Sequence, residues 1–242
     1  MSTWWRVIAC ALTLTSVAAG ELVEVGADRD NTLYEDPNGL WSNGAGEYFF
    51  AGRTGVGQLH RGLVRFDVAG AVPAGSTITG VTLTLHMSRT FSGPQAVGLY
   101  RVLADWGEGT SDAPGNEGAG APAQPGDATW LHTFFDNQFW TTPGGDFATT
   151  ASATATIADI GFYAWSSPAL IADVQAWLDQ PGENFGWLLR GNEDVDLTSK
   201  RFDTRENIEP TFRPVLAVTY VPEPATAWLA VGGMALLRRR RA

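Results

Sequence analysis

Hydrophobic and polar residues alternate in short runs between Glu21 and Tyr220, and clusters of Gly, Asn, Asp and Pro separate the runs. A period of two broken every few residues is the mark of a β-sandwich or barrel, not of packed helices. The cleanest run is Ser76 to Met87, where Leu83, Leu85 and Met87 alternate with Thr82, Thr84 and His86. In Arg213 to Tyr220 the positions Leu216, Val218 and Tyr220 share one face, with Val215, Ala217 and Thr219 on the other. Neither face is polar, which predicts a strand covered on both sides. Shorter strands are expected at Glu47 to Ala51, Gly62 to Val68, Val97 to Leu103, Phe185 to Arg190 and Lys200 to Asp203. Within Gly62 to Val68, Val64, Phe66 and Val68 should face inward, and Arg65 and Asp67 outward. One helix is expected over Pro168 to Gln180, with a proline in its first turn, Ile171, Val174 and Leu178 on one face, and Pro181-Gly182 to stop it. The stretch from Gly107 to Gly126 is rich in Gly, Ala and Pro and carries no alternation, so a long loop is expected there.

The two ends break this pattern. Met1 to Gly20 has one positive charge at Arg6, an apolar run from Val7 to Val17, and the small residues Ala18, Ala19 and Gly20, which reads as a cleavable signal peptide. Cys10 is the only cysteine, and with just Val7 to Ala9 between it and Arg6 it is poorly placed for a lipoprotein anchor. A mature chain without it has neither disulfides nor thiol chemistry. At the other end, Val221-Pro222-Glu223-Pro224 leads into an apolar segment from Ala225 to Leu237 and then Arg238 to Arg241. This resembles the PEP-CTERM sorting signal of Gram-negative bacteria, in all three parts and in order. A helix over that apolar segment would reach roughly 20 Å, short of a hydrocarbon core of roughly 30 Å, and the terminal arginines would stay cytoplasmic. The resemblance implies that an exosortase reads Pro222, Glu223 and Pro224 after signal peptidase has cut at the other end. On this reading the chain has three parts: 1–20, a domain at 21–220, and a sorting tail at 221–242. It would be secreted to the cell envelope or extracellular matrix.

The chain has 16 Lys and Arg against 26 Asp and Glu; without Arg6, Arg238 to Arg241 and Glu223, 11 basic and 25 acidic residues remain, a net charge of −14. Such a surface repels phosphate backbones and disfavours nucleic acid as a partner.

Several segments, in order, look like the DNRLRE family of secreted β-sandwich modules, which are related to polysaccharide-binding modules. They include Asp30-Asn31-Thr32-Leu33-Tyr34-Glu35, Arg61 to Val68, Val72 to Ile78, Trp106-Gly107-Glu108-Gly109, Ala128-Thr129-Trp130, Gly144-Gly145-Asp146-Phe147, Asp173 to Leu178 and Asn184 to Leu189. The last are Phe202 to Asn207, where Thr204-Arg205-Glu206 approximates the family's Ser-Arg-Glu type motif, and Arg213-Pro214-Val215-Leu216. The resemblance implies an all-β fold, a jelly-roll-like antiparallel β-sandwich with one short helix, in a binding or adhesive role without a catalytic centre.

Candidate chemistry is sparse. His60, His86 and His132 lie far apart with no metal-ligand spacing, and no Gly-x-Ser-x-Gly elbow occurs. Asp105 and Glu108 flank Trp106 and are the least unsuitable carboxylates for glycoside chemistry, which needs a pair about 5 to 9.5 Å apart. Calcium is the more natural ion: Asp28, Asp30 and Asn31 form one oxygen-rich cluster, and Asp194 and Asp196 another. Turn formation explains both clusters equally well. An exposed indole offers a platform for a sugar ring, and Trp106, Trp130 and Trp140 sit in loop-like sequence, whereas Trp177 and Trp187 belong to the core. Packing is the plainer account of the three loop tryptophans as well. Arg53, Arg61, Lys200 and Arg201 would suit an acidic sugar, with internal ion pairing as the alternative. The expected partner is therefore an extracellular polysaccharide. A purely structural matrix protein and a glycoside-active enzyme are the competing readings.

Overall fold

The computed structural model describes residues 19–223, so the signal-peptide reading, Pro224 and the rest of the tail fall outside the described residues. The strands are β1 (Glu21–Tyr34), β2 (Trp41–Ser42), β3 (Tyr48–Arg53), β4 (Leu59–Phe66), β5 (Thr77–Thr90), β6 (Gln95–Arg101) and β7 (Ala121–Pro122). They continue as β8 (His132–Phe134), β9 (Gln138–Phe139), β10 (Ala153–Ile157), β11 (Gly161–Trp165), β12 (Trp187–Arg190), β13 (Lys200–Asp203) and β14 (Val215–Val221). A one-turn helix α1 (Val68–Ala71) and the helix α2 (Pro168–Asp179) complete the regular structure, with two short 3₁₀ turns.

The strands form an antiparallel sandwich. In the first sheet β14 lies between β1 and β5, β11 pairs with the other edge of β5, and β13 joins the far end of β5 to β3. In the second, the order is β1, β4, β12, β6, β10. Strands β1 and β3 are shared: the first half of β1 pairs with β14 and its second half with β4, while β3 pairs with β13 and then β4. Strands that cross between layers in this way make the sheet corners of the sandwich.

Between the sheets the core contains Phe49, Val64, Phe66, Leu83, Leu85, Met87, Trp187, Leu189, Phe202, Leu216 and Val218. Helix α2 closes it with Leu170, Val174, Trp177 and Leu178, and Ser167 caps the helix by accepting the Leu170 amide N–H at 3.0 Å. Trp177 and Trp187 meet within this core as a tilted pair with ring centroids 4.5 Å apart, buried as their patterns predicted. The alternation of Val64, Phe66 and Val68 also holds.

One expectation changes, and two features lie beyond the local pattern. Strand β14 is buried only on the Leu216, Val218 and Tyr220 face, and Val215, Ala217 and Thr219 stay half-exposed. Strand β1, the longest with β5, was hidden because its buried positions include Asp30, Asn31 and Thr32. The Gly107 to Gly126 stretch is pinned in place: the Glu117 carboxylate accepts from the backbone N–H groups of Glu47 and Tyr48 and from the Asn43 amide, and Asp127 accepts from Thr110 and Gln124.

Candidate functional site

The chain that follows β6 folds across the outer face of the second sheet and builds a second core there. Leu33 of β1, Leu63 of β4 and Leu188 of β12 point outward and meet Val102, Trp106, Trp130 and Trp140. All three loop tryptophans are buried, at 0%, 8% and 5% exposure, which corrects the expectation of exposed platforms. The cause is plain: the sheet's outer face is apolar and must be covered. The Trp106 indole N–H donates to the Phe185 carbonyl at 2.8 Å and that of Trp140 to the Thr129 carbonyl at 2.9 Å, so their polar edges are also satisfied.

Two of the basic candidates are likewise structural. Arg61 makes a two-pronged ion pair with Glu193 at 2.7 and 3.0 Å and lies over the ring of Trp130 at 4.8 Å. Lys200 is fully buried, and its ammonium donates to Thr90 Oγ1 and to the carbonyls of Ser92 and Gly93 at 2.7 to 3.0 Å. Both are therefore corrected as sugar contacts.

Arg53 and Arg201 behave differently. Together with Arg89, which the sequence reading did not single out, they line a cleft of about 260 Å³ on the outer face of the sandwich. Phe50, His60, Phe91, Asn116 and Leu197 are among the other residues of its wall. Arg201 pairs in register with Arg89 across β13 and β5. Strict alternation from the buried Met87 would send Arg89 into the core, but the register of the two strands slips between Arg201 and Phe202. A bulge of this kind re-aims a side chain, and here it turns Arg89 outward beside Arg201. Like charges directly opposite on a sheet repel. Arg201 lies over the Tyr48 ring at 3.6 Å and donates to Ser88 Oγ; Arg89 lies over Phe91 at 4.9 Å and donates to the Asn116 side-chain carbonyl. Among the described residues no carboxylate lies within 4.0 Å of either guanidinium, whereas Arg53 is matched by Asp196 at 2.7 Å. Burial, with Arg89 adding to it, lowers the Arg201 pKa below its ordinary value. Burial likewise pushes His60 down to about 4. Phe91 is 72% exposed and stands at the mouth.

The acidic candidates also rearrange. Asp28 is taken up in an ion pair with Arg65. Asn31 is a buried bracket: its carbonyl accepts from the Thr32 and Asn43 amide N–H groups and its NH₂ donates to Ser42 Oγ and the Glu108 carbonyl. Neither is placed to hold an ion, which corrects that part of the Asp28, Asp30, Asn31 cluster. Asp105 pairs with Arg29 at 3.0 Å, and Asp194 and Asp196 are exposed, with Asp196 held by Arg53.

Asp30 instead meets Glu108 and Glu206, one oxygen of each lying within 4.8 Å of the others. These come from β1, the loop after β6 and the turn after β13, three of the segments that carry the family resemblance. The Arg205 guanidinium reaches Glu206 at 2.7 Å and Glu108 at 3.5 Å, and the Arg205 backbone N–H donates to Asp30 Oδ2. Burial, then the charge of Glu206, raises Asp30 well above the usual carboxylate range. Burial and the charge of Glu108 raise Glu206 to about 7. Asp30 has no exposed surface, so a sugar ring cannot reach it, and the spacing alone does not make this a glycosidase pair.

No family model matches the chain, and no curated protein shows significant similarity to it. The functional reading therefore rests on the chemistry of the two clusters. Positive charge put Arg53 and Arg201 within reach of sequence reasoning; Arg89 carried no signal, because its orientation depends on a slip between strands distant in the chain.

Proposed function

We propose that this chain is a non-catalytic, secreted surface or matrix protein that binds an acidic extracellular polysaccharide in the cleft between Arg53, Arg89 and Arg201. The observation that carries the reading is the pair Arg89 and Arg201, two guanidiniums side by side without a carboxylate partner on a chain of net negative charge. Such a pair is costly unless an anion joins it, and a uronate carboxylate accepts charge-assisted hydrogen bonds from both. Phe91, exposed at the mouth, offers an aromatic face to the apolar side of a sugar ring, the role expected of the loop tryptophans. The signal-peptide pattern at Met1 to Gly20, the PEP-CTERM resemblance around Pro222, Glu223 and Pro224, and the DNRLRE resemblance support an exported polysaccharide-binding module processed by signal peptidase and an exosortase.

The test is retention on immobilised alginate and polygalacturonate against dextran. The uronates should retain the protein, dextran should not, and 0.5 M salt should release it. The double variant Arg89→Ala, Arg201→Ala should lose roughly 10- to 100-fold in affinity, the scale of one or two charge-assisted bonds. Failure of the wild-type protein to bind either uronate would leave a purely structural matrix role, the reading that the buried tryptophans favour. Release of shortened oligosaccharides would instead make it an enzyme.

A further inference from the structure

We propose that Asp30, Glu108 and Glu206 form a binding site for a hard divalent cation, calcium by class, which ties β1, the loop after β6 and the turn after β13 together. The site is distinct from the arginine cleft and does not rest on the polysaccharide reading. Three carboxylates meet with one oxygen of each within 4.8 Å of the others. That span suits ligands around a shared ion, since two oxygens each about 2.3–2.6 Å from calcium lie at most about 5 Å apart.

A separate observation points to the ion. Asp30 Oδ1 is buried and accepts no hydrogen bond, and Glu206 Oε2 is buried with no partner either. Buried carboxylate oxygens are ordinarily satisfied, because leaving one bare forfeits its solvation with no return. One oxygen of each carboxylate is engaged in a definite way: Asp30 Oδ2 accepts the Arg205 N–H, Glu108 Oε1 accepts the Asp30 N–H at 2.9 Å, and Glu206 Oε1 accepts from the Arg205 guanidinium. The two bare oxygens are thus donor atoms left over by the protein's own bonding.

Charge and ligand type narrow the occupant. With all three carboxyls ionised, Arg205 offsets one charge, while Arg29 is committed to Asp105, Arg65 to Asp28 and the Arg213 Nε–H to the Asn207 carbonyl, which leaves two negative charges. A divalent ion balances them. The cluster offers only carboxylate oxygens, without imidazole or thiolate, which disfavours zinc and copper. Calcium accepts several protein oxygens in an irregular cage, whereas magnesium prefers to keep its waters.

The experiment is scanning calorimetry of the full chain at pH 8 in 10 mM CaCl2 against 1 mM EDTA, with KCl at matched ionic strength as the control. For a site of about 0.1–1 mM affinity, common in extracellular modules, calcium should raise the Tm by about 5 °C. Asp30→Asn and Glu206→Gln should abolish that rise; Glu206→Gln also relieves repulsion within the cluster, so it keeps the test open if Asp30→Asn fails to fold. The Arg89→Ala, Arg201→Ala variant should keep the full calcium response, which separates this site from the cleft. Absence of a calcium-specific rise in the wild-type protein, or an unchanged rise in Glu206→Gln, overturns the proposal.

Discussion

Acidification probes His60, whose ring is buried between Tyr34 and Phe50 at 4.8 and 5.6 Å beneath the arginine cleft. Burial lowers its pKa from 6.5 to about 4 in the folded protein. The unfolded imidazole takes up its proton near pH 6.5, while the folded one stays neutral until about pH 4. Its contribution to stability is therefore complete above pH 6.5 and is lost as the pH falls toward 4. At about 1.4 kcal/mol per pH unit, the loss across that window is about 3 kcal/mol. Glu206 acts with the opposite sign, because a carboxyl raised to about 7 in the folded state gains stability as the pH falls from 7 toward 4.5. The wild-type profile alone would blend the two. The useful quantity is the difference between wild type and His60→Gln, which keeps a polar side chain and removes the titration. Urea unfolding at pH 4, 5, 6 and 7 should show the wild-type advantage shrinking by about 3 kcal/mol from pH 7 to pH 4. Parallel profiles, with a difference flat across that range, would refute the reasoning.

Trp106→Ala should cost about 3–5 kcal/mol by chemical denaturation, because its ring is fully buried in the second core; an unchanged midpoint would mean that the loop does not pack on the sheet. Arg61→Met should cost about 3–5 kcal/mol at neutral pH, since it strands Glu193, a carboxylate with 7% of its side chain exposed, with only Arg190 beside it. Replacing Glu193 by Gln in the same chain should recover part of that loss. Lys200→Met should cost about 2–4 kcal/mol by removing the ammonium that holds the Ser92 and Gly93 carbonyls, and proteolysis should then cut within residues 90–93.

The alternation of apolar residues was enough to define an all-β sandwich, the inward faces of β4 and β5, and the helix from Pro168, because a two- or 3.6-residue period is written into neighbouring positions of the chain. The assignment of Trp177 and Trp187 to the core followed from the same local regularity. What lies on the outside of a sheet is set differently. Leu63 and Leu188 stand beside arginines on the outer faces of their strands, and only the assembled sheet shows that they form a surface that Trp106, Trp130 and Trp140 must cover. Glycine-rich sequence hid those tryptophans as loop residues, since the pinning bonds of Glu117 and Asp127 reach partners that periodicity cannot register. The same holds for both candidate sites: Arg89 faces Arg201 because of a slipped register across two strands, and Asp30 finds Glu108 and Glu206 about 78 and 176 positions away. Local spacing fixes which way a side chain points along a regular strand; where a bulge reverses it, as at Arg89, and which charges become neighbours are decided when distant strands pair, and one residue of register is enough to change the answer.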